Sequence, residues 1–145
     1  MKSRFTELIP GMFRGPRPTL TELASWSPRL RAVIDLEPVR IAKGEQSDAA
    51  KLGINEQLCP MSSIWPPNHA TVIEVAKKLE TAALPVLVHC HQGVDRTGVV
   101  IAFWRVMFCQ WDPDWALDEM LSMGFHRWRY RYWMPSIRRL LERRT

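Results

Sequence analysis

Residues 87–100, LVHCHQGVDRTGVV, set a cysteine, a glycine, an arginine and a threonine in one short connection between two apolar runs. The run before it, 85–89, predicts a short central strand in a parallel sheet. The run after it predicts a helix over 97–109 that is apolar on nearly every side and therefore buried. A loop between them lies at the carboxyl end of a parallel strand, where α/β sheets bind ligands. The helix start offers unpaired N–H groups and a partial positive charge. Gly93 permits a turn that a β-carbon would obstruct. Successive amides across His91, Gln92, Gly93 and Val94 can then curve into a nest for a tetrahedral oxyanion. Arg96 adds a planar fork to two of its oxygens.

Cys90 sits at the bottom of that nest. The amides and the guanidinium that attract phosphate also stabilise a thiolate. A thiolate there can attack phosphorus in line and form a phosphocysteine. Thr97 can donate its hydroxyl to the sulfur when it leaves. His89 braces the loop by hydrogen bonds, and Gly98 continues the helix start. A lone cysteine beside a helix is more often a small buried residue. A cysteine, five residues, an arginine and then Thr-Gly on a buried helix is a different pattern, and it favours chemistry.

The elements that carry this loop follow from the rest of the chain. Residues 12–15 predict a short edge strand and GPRP at 15–18 a turn. Thr19 with Glu22 forms a capping box on a short helix that ends at Pro28. A strand is expected over 30–36 (LRAVIDL), a charged loop over 38–48, a helical turn over 49–52, and a second strand from Gly53 to near Cys59. Residues 60–67 (PMSSIWPP) read as a loop. Asn68 caps a helix carrying Val72, Val75, Ala76 and Leu79 at helical spacing. Asp112 and Pro113 start another helix through Ser122, with Gly124 at its end. A last helix opens at Met134 or Pro135 and runs into a basic tail. Alternating strands and helices give an α/β fold: a central, mostly parallel four- to five-stranded sheet flanked by helices.

At 145 residues and 46% hydrophobic, the chain can bury a core as one domain, 1–145. A formal charge of +5 favours anionic partners without choosing among them. Three cysteines, Cys59, Cys90 and Cys109, are too few and scattered for a disulfide framework. Residues 1–15 lack the apolar core of a signal peptide, and the longest purely apolar run, 99–104, is too short to span a bilayer. These features point to a cytoplasmic protein without stable membrane insertion. Cys59, Cys90 and His89 show no metal-ligand spacing, so no metal is expected.

HCHQGVDRTG resembles the signature of the cysteine-dependent phosphatases, the family of protein tyrosine and dual-specificity phosphatases. His89, Cys90, Gly93, Arg96, Thr97 and Gly98 carry the match. FRGPRPT at 13–19 and LRAVIDL at 30–36 are similar to the opening of small bacterial and fungal dual-specificity-like enzymes. The resemblance covers roughly the whole chain and implies a dual-specificity-phosphatase-like fold. It also implies phosphate monoester hydrolysis through a phosphocysteine; a monomer is expected, and no cofactor, because the nucleophile and the clamp are both protein groups. Arsenate reductases and rhodanese-like phosphatases share the spacing but not the HC…RTG context.

The family usually places an aspartate, the acid that protonates the leaving oxygen, on a loop before the signature strand. Here that loop is PMSSIWPP, with no Asp or Glu. Asp95 is the substitute by position, as in myotubularin-like enzymes; helix capping is its bland alternative. Asp35 and Glu37 are further candidates, and His91 can bear on acid–base work. The substrate is a phosphorylated protein, a small molecule or a lipid headgroup. Trp65 is a candidate wall for a phosphotyrosine slot. Arg40, Lys43, His91, Arg127, Arg129 and Arg131 are candidate cations for a phosphoinositide or inositol polyphosphate. FHRWRYRYW at 125–133 interleaves bases and aromatics, a pattern that also suits single-stranded nucleic acid. The related RNA triphosphatase loop carries Asn where this chain has Asp95, which argues against nucleic acid; such rings on a helix commonly pack inward. A catalytically inactive phosphate-binding protein is the reading of a different class. Cys59 is either a small core residue or, if its strand neighbours that of Cys90, a redox partner for it.

Overall fold

The computed structural model describes residues 4–143; the last part of the expected basic tail lies outside the described residues. Its contacts gather into two compact units. The first comprises the chain up to Pro60 together with Ala82–Gly93, and the second comprises Met61–Thr81 together with Val94 onward. The chain passes from the first to the second for the last time between Gly93 and Val94, inside the signature.

The first unit is a five-stranded sheet with two helices. Its strands are β1 (Thr6–Ile9), β2 (Met12–Gly15), β3 (Ala32–Asp35), β4 (Asn55–Leu58) and β5 (Val86–His89). Their order is β1-β2-β5-β3-β4, so β5 is central. It runs parallel to β2 and β3, and β3 runs parallel to β4. All four residues of β5 are buried, as its apolar run predicted. The expected edge strand at 12–15 is instead interior. β1, missed in the sequence, pairs antiparallel with it and takes the edge. β1 (TELI) is mostly exposed, so it carries little of the apolar signal that marks a strand.

Helix α1 (Leu20–Ser25) has the expected capping box between Thr19 and Glu22. The expected loop at 38–48 is corrected: α2 runs over Val39–Lys51, and the helical turn at 49–52 is its end. Its buried face rests on Ala42 and Ala49, one residue per two turns, too narrow a stripe to read as amphipathic. Phe5, Phe13, Leu23, Trp26, Leu30, Val33, Ala49, Ile54 and Leu87 form the core of this unit.

The second unit is helical, with α3 (His69–Thr81), α4 (Asp95–Phe108), α5 (Pro113–Ser122) and α6 (Arg127–Arg143). Asn68 caps α3 through a bond from Thr71 N, and Asp112 caps α5 through one from Asp114 N. Helix α4 is buried from Asp95 to Val106 and packs on α3, α5 and α6. Its charged and polar groups are met inside the unit. Trp104 Nε1 donates to Glu80 at 2.9 Å, and Arg105 pairs with Glu119 at 3.0 Å. The expected start of the last helix at 134–135 is corrected to Arg127, with Pro135 inside it. An interior proline costs about 3 kcal/mol. Burial of Trp133, Met134, Ile137, Leu140 and Leu141 offsets that cost. No helix among the described residues is long and apolar enough to cross a membrane.

Candidate active site

The signature leaves the end of β5, and its first half is held by the first unit through backbone contacts. Cys90 is 3% exposed. Gly93 adopts φ +77°. A β-carbon there would lie 2.2 Å from Gly15 C, 2.4 Å from Gly15 O and 2.5 Å from Pro16 N. Glycine is therefore required both by conformation and by space. The buried Arg14 guanidinium donates to Gly93 O at 3.1 Å. Arg17 N donates to His91 O at 3.1 Å, and Leu36 N donates to His89 O at 2.9 Å. The GPRP turn and the end of β3 thus fix the path of residues 89–93. His91 and Gln92 are exposed.

Behind Cys90, His89 is fully buried. Its Nδ1 lies 3.1 Å from Cys90 O and its Nε2 2.7 Å from Glu45 Oε2. Asp35 and Glu37 each approach it at 3.7 Å. Burial opposes charge on His89, but Glu45 and Asp35 outweigh it and hold its pKa above the ordinary value. Burial raises Asp35, partly opposed by His89. Burial, then Glu45 and Asp35, push Glu56 up to about 11. Asp35 and Glu37, weighed from the sequence as acids facing the cleft, are committed elsewhere. Asp35 accepts from Glu37 N at 2.9 Å, and Glu37 is clamped by the Arg17 guanidinium.

The second half of the signature is held within the second unit, by side chains. α4 opens at Asp95, two residues earlier than expected, with Val94 as an N-cap that makes no side-chain bond. The first-turn amides are thus not closed by the cap residue, which suits an anion. Arg96 is 9% exposed and its Nη1 lies 3.4 Å from Met61 O; Thr97 is fully buried, and Gly98 N donates to Val94 O. Asp95 accepts from His126 N at 2.9 Å, lies 2.6 Å from His126 Nδ1, and pairs with Arg129 Nε at 2.7 Å. Both its oxygens are occupied as acceptors, an arrangement for orienting an imidazole rather than for donating a proton directly. The acid-free loop at 61–65 is pinned from the same helix. Arg129 donates to Ser63 O, while Tyr132 Oη and Trp133 Nε1 both donate to Ile64 O. Trp65 on that loop is 72% exposed.

Arg14, Arg17, Glu45, His126 and Arg129 were not singled out from the sequence for these positions. FRGPRP held the only local hint, and nothing in the spacing ties residues 126 and 129 to 95. Arg127 and Arg131 are exposed, whereas Arg129 is tucked inward. The expectation that rings of α6 turn inward holds for Trp133 and is corrected for Trp128, Tyr130 and Tyr132, which are 41–59% exposed. Arg129 lies against Trp128, 4.0 Å from the ring centroid. Cys59 and Cys90 follow β4 and β5, which are separated by β3. Two strand spacings, about 9–10 Å, exceed the reach of a disulfide without backbone movement. The neighbouring-strand premise for a redox pair is therefore corrected.

Comparison with known proteins agrees with this architecture. Dual specificity protein phosphatase TpbA of Pseudomonas aeruginosa (strain UCBPP-PA14) is 36% identical over 74 residues, 46% of this chain and 34% of that protein. The match therefore spans about a third of the curated relative's length. Among solved structures, Tk-PTP in its active form superposes with a TM-score of 0.84 at 20% identity, covering 99% of both chains. P. aeruginosa TpbA in complex with pTyr gives 0.76 at 20% identity, covering 97% of this chain and 90% of that one. The core catalytic domain of the PP-IP phosphatase SIW14 from S. cerevisiae gives 0.74 at 19% identity, covering 97% and 92%. These likenesses establish the phosphatase fold. The family model described as "Polymorphic toxin system, DSP-PTPase phosphatase" matches residues 9–110, from the end of β1 past α4. With that match running through the whole cysteine signature, the chain belongs to the Tc-R-P family of DSP-PTPase phosphatases.

Proposed function

We propose that this chain hydrolyses phosphate monoesters through a phosphocysteine on Cys90, with phosphotyrosine or phosphoserine/threonine side chains as substrate. The observation that carries the reading is the placement of Cys90. It directly follows the central parallel strand, ahead of a glycine that tolerates no side chain and a helix start with no side-chain cap. In this mechanism the amides of residues 91–94 and the Arg96 fork bind the phosphoryl oxygens. Cys90 Sγ attacks phosphorus, the ester P–O bond breaks, and the leaving oxygen takes a proton. Water then attacks phosphorus and the P–S bond breaks, with the Thr97 hydroxyl stabilising the departing thiolate. The proton comes from the His126 imidazole, oriented at Nδ1 by Asp95, and returns to it from the attacking water. Asp95 is then a positioning residue. Trp65, exposed on the 61–65 loop, supplies an aromatic wall. TpbA, solved with pTyr, supports the tyrosine branch.

A second substrate reading, an inositol phosphate or phosphoinositide, is favoured by the exposed cations Arg40, Lys43, Arg127 and Arg131 and by the likeness to a PP-IP phosphatase. A panel of phosphopeptides, phosphoinositides and inositol phosphates separates the two. The mechanism itself is tested by Cys90→Ser and Arg96→Ala. Cys90→Ser is expected to lose turnover while retaining vanadate binding, and Arg96→Ala to lose both. Near-normal turnover in Cys90→Ser overturns the covalent route.

A further inference from the structure

We infer that Asp35, Glu45, Glu56 and His89 form a binding site for one divalent first-row transition cation, of the zinc or manganese class. This goes beyond the proposed reaction, which uses none of the three carboxylates. The four residues come from the end of β3, from α2, from β4 and from the end of β5. Each offers one ligand atom, and these atoms all lie within 4.8 Å of one another. Tetrahedral bonds of about 2.0–2.2 Å place ligand atoms roughly 3.3–3.6 Å apart, so side-chain adjustments of about 1–1.5 Å close the cage.

Proximity of acids alone would mean little. The second observation is that buried acceptors point into the cluster with no N–H or hydroxyl donor from outside it to meet them. Glu56 is 4% exposed and Asp35 fully buried. Neither oxygen of Glu56, nor Asp35 Oδ2, receives a hydrogen bond from an N–H or hydroxyl group among the described residues; their near neighbours are one another's carboxyls and that of Glu45. A third observation concerns the imidazole. Cys90 O can only accept, so His89 Nδ1, 3.1 Å away, carries the hydrogen. Nε2 is thereby turned toward Glu45 Oε2 at 2.7 Å and Asp35 Oδ2 at 3.7 Å. A histidine that donates one ring N–H to a carbonyl and aims the other nitrogen at carboxylates has the arrangement of a metal ligand with its supporting hydrogen bond.

Metal binding requires the set to release its protons; the deprotonated ligands, three carboxylates and a neutral imidazole, then carry −3, which a divalent ion reduces to −1. One nitrogen and three oxygens suit zinc or manganese. The set lacks the thiolates that select Cu(I) and falls short of the six to eight oxygens calcium takes. Glu37 stays outside the set because Arg17 holds it. A cavity of about 450 Å³, lined by Lys43, Gln46 and Ser47 of α2 and by Glu56, borders the cluster on the α2–β4 side. Once bound, the ion fixes His89 and through it the Cys90 carbonyl. Its role is to hold the floor of the loop.

The test reads metal rather than turnover, so it stands or falls independently of the phosphatase reading. The full chain is stripped with a chelator and reloaded with Zn²⁺ or Mn²⁺. Bound metal is counted by mass spectrometry, and the melting temperature is followed. One ion per chain and a rise in melting temperature are expected. Glu56→Gln and Glu45→Gln keep the side-chain shape and should lose affinity at least tenfold, together with the rise. Each variant's fold is checked by circular dichroism in chelator, and either folded variant suffices. No stoichiometric uptake by the wild type overturns the site. So does uptake by a folded variant equal to that of the wild type, since the ion would then sit elsewhere.

Discussion

The two halves of the signature are held by different kinds of force. Residues 89–93 are fixed mainly by backbone contacts, Arg17 N on His91 O, Leu36 N on His89 O and the close approach of Gly93 to Gly15, with the Arg14 guanidinium on Gly93 O and the His89 ring on Cys90 O added from buried side chains. Residues 95–96 are fixed by charged side chains: His126 and Arg129 on Asp95, and Arg96 on Met61 O. A backbone-held loop depends on shape and barely on solution conditions. A charge-held helix start can be tuned by pH, salt and single isosteric substitutions. The proposed nucleophile thus stands on the backbone-held half, while the groups proposed to clamp phosphate and supply its proton stand on the charge-held half.

Gly93→Ala is the largest predicted effect and the sharpest way to break the comparison. The new methyl meets backbone atoms at 2.2–2.5 Å, and those atoms cannot rotate away as a side-chain tip can. The left-handed φ adds strain. A loss of about 3 kcal/mol or more is expected, with turnover lost alongside. A denaturant melt and a rate assay check it. Retention of both would show that the first half is not held by shape.

Asp95→Asn probes the charged half. It keeps an acceptor for His126 N but loses the ionic pairing with Arg129, for an expected cost of about 1–3 kcal/mol. Its catalytic signature should depend on the leaving group. An alkyl phosphate should slow much more than an activated aryl phosphate, because only the alkoxide needs the proton badly. His126→Gln should reproduce that steepened dependence with less loss of stability. If neither variant changes the slope of log rate against leaving-group pKa, the Asp95–His126 pair belongs to structure alone.

Legibility in the sequence follows the same divide. The strand at 86–89, the glycine turn and the buried helix were readable because local apolar runs and one special backbone position dictate them. Helix α4 carries its own evidence in the apolar run from Val99 to Trp104. Helix α2 was not readable, because Gly44, Glu45, Gln46 and Ser47 interrupt a stripe made of two alanines. β1 was missed because its residues are exposed and its pairing is settled by a partner strand. The site's long-range partners had no local signal at all. Arg14 reaches a carbonyl 79 positions later, and His126 reaches a carboxylate 31 positions earlier. The acidic cluster behind His89 assembles from three strands and a helix, so no ligand spacing exists to be read.

Glu56 sharpens the contrast with Asp95, since one buried acid has an arginine and the other has only acids and a histidine. Burial, then Glu45 and Asp35, push its carboxyl up to about 11. The folded-state value lies above the ordinary 4.5, so the folded state holds a proton that the unfolded chain releases. Its contribution to stability is present below pH 4.5 and declines as pH rises toward 11. Glu56→Gln removes that dependence. The metal-free variant should melt above the wild type at pH 8–9, and the difference should shrink as pH falls toward 4.5. A constant difference across that window would mean that Glu56 is already charged in the fold.

The smallest predicted effect lies at the outer support of the backbone-held half. Arg4 pairs with Glu22 at 2.6 Å and also donates to Arg17 O at 3.1 Å, so the pair buttresses the turn that backs His91. The Arg4 hydrogen bond holds Glu22 down to about 2, against an ordinary 4.5, with the Thr19 cap helping. A depressed carboxyl stabilises the fold above its unfolded value, and that contribution is lost as pH falls from 4.5 toward 2. The Arg4 side chain is 46% exposed, so water and salt screen the pair. A contribution below about 1 kcal/mol is therefore expected. Glu22→Gln should melt slightly below the wild type at pH 7, and the gap should narrow both with added salt and as pH approaches 2. Turnover at pH 7 should change little, because Arg17 N and Leu36 N still hold the loop carbonyls. A large loss of rate would mean that the backbone-held half is supported by charge after all, and the division drawn between the two halves would have to be moved outward to the GPRP turn.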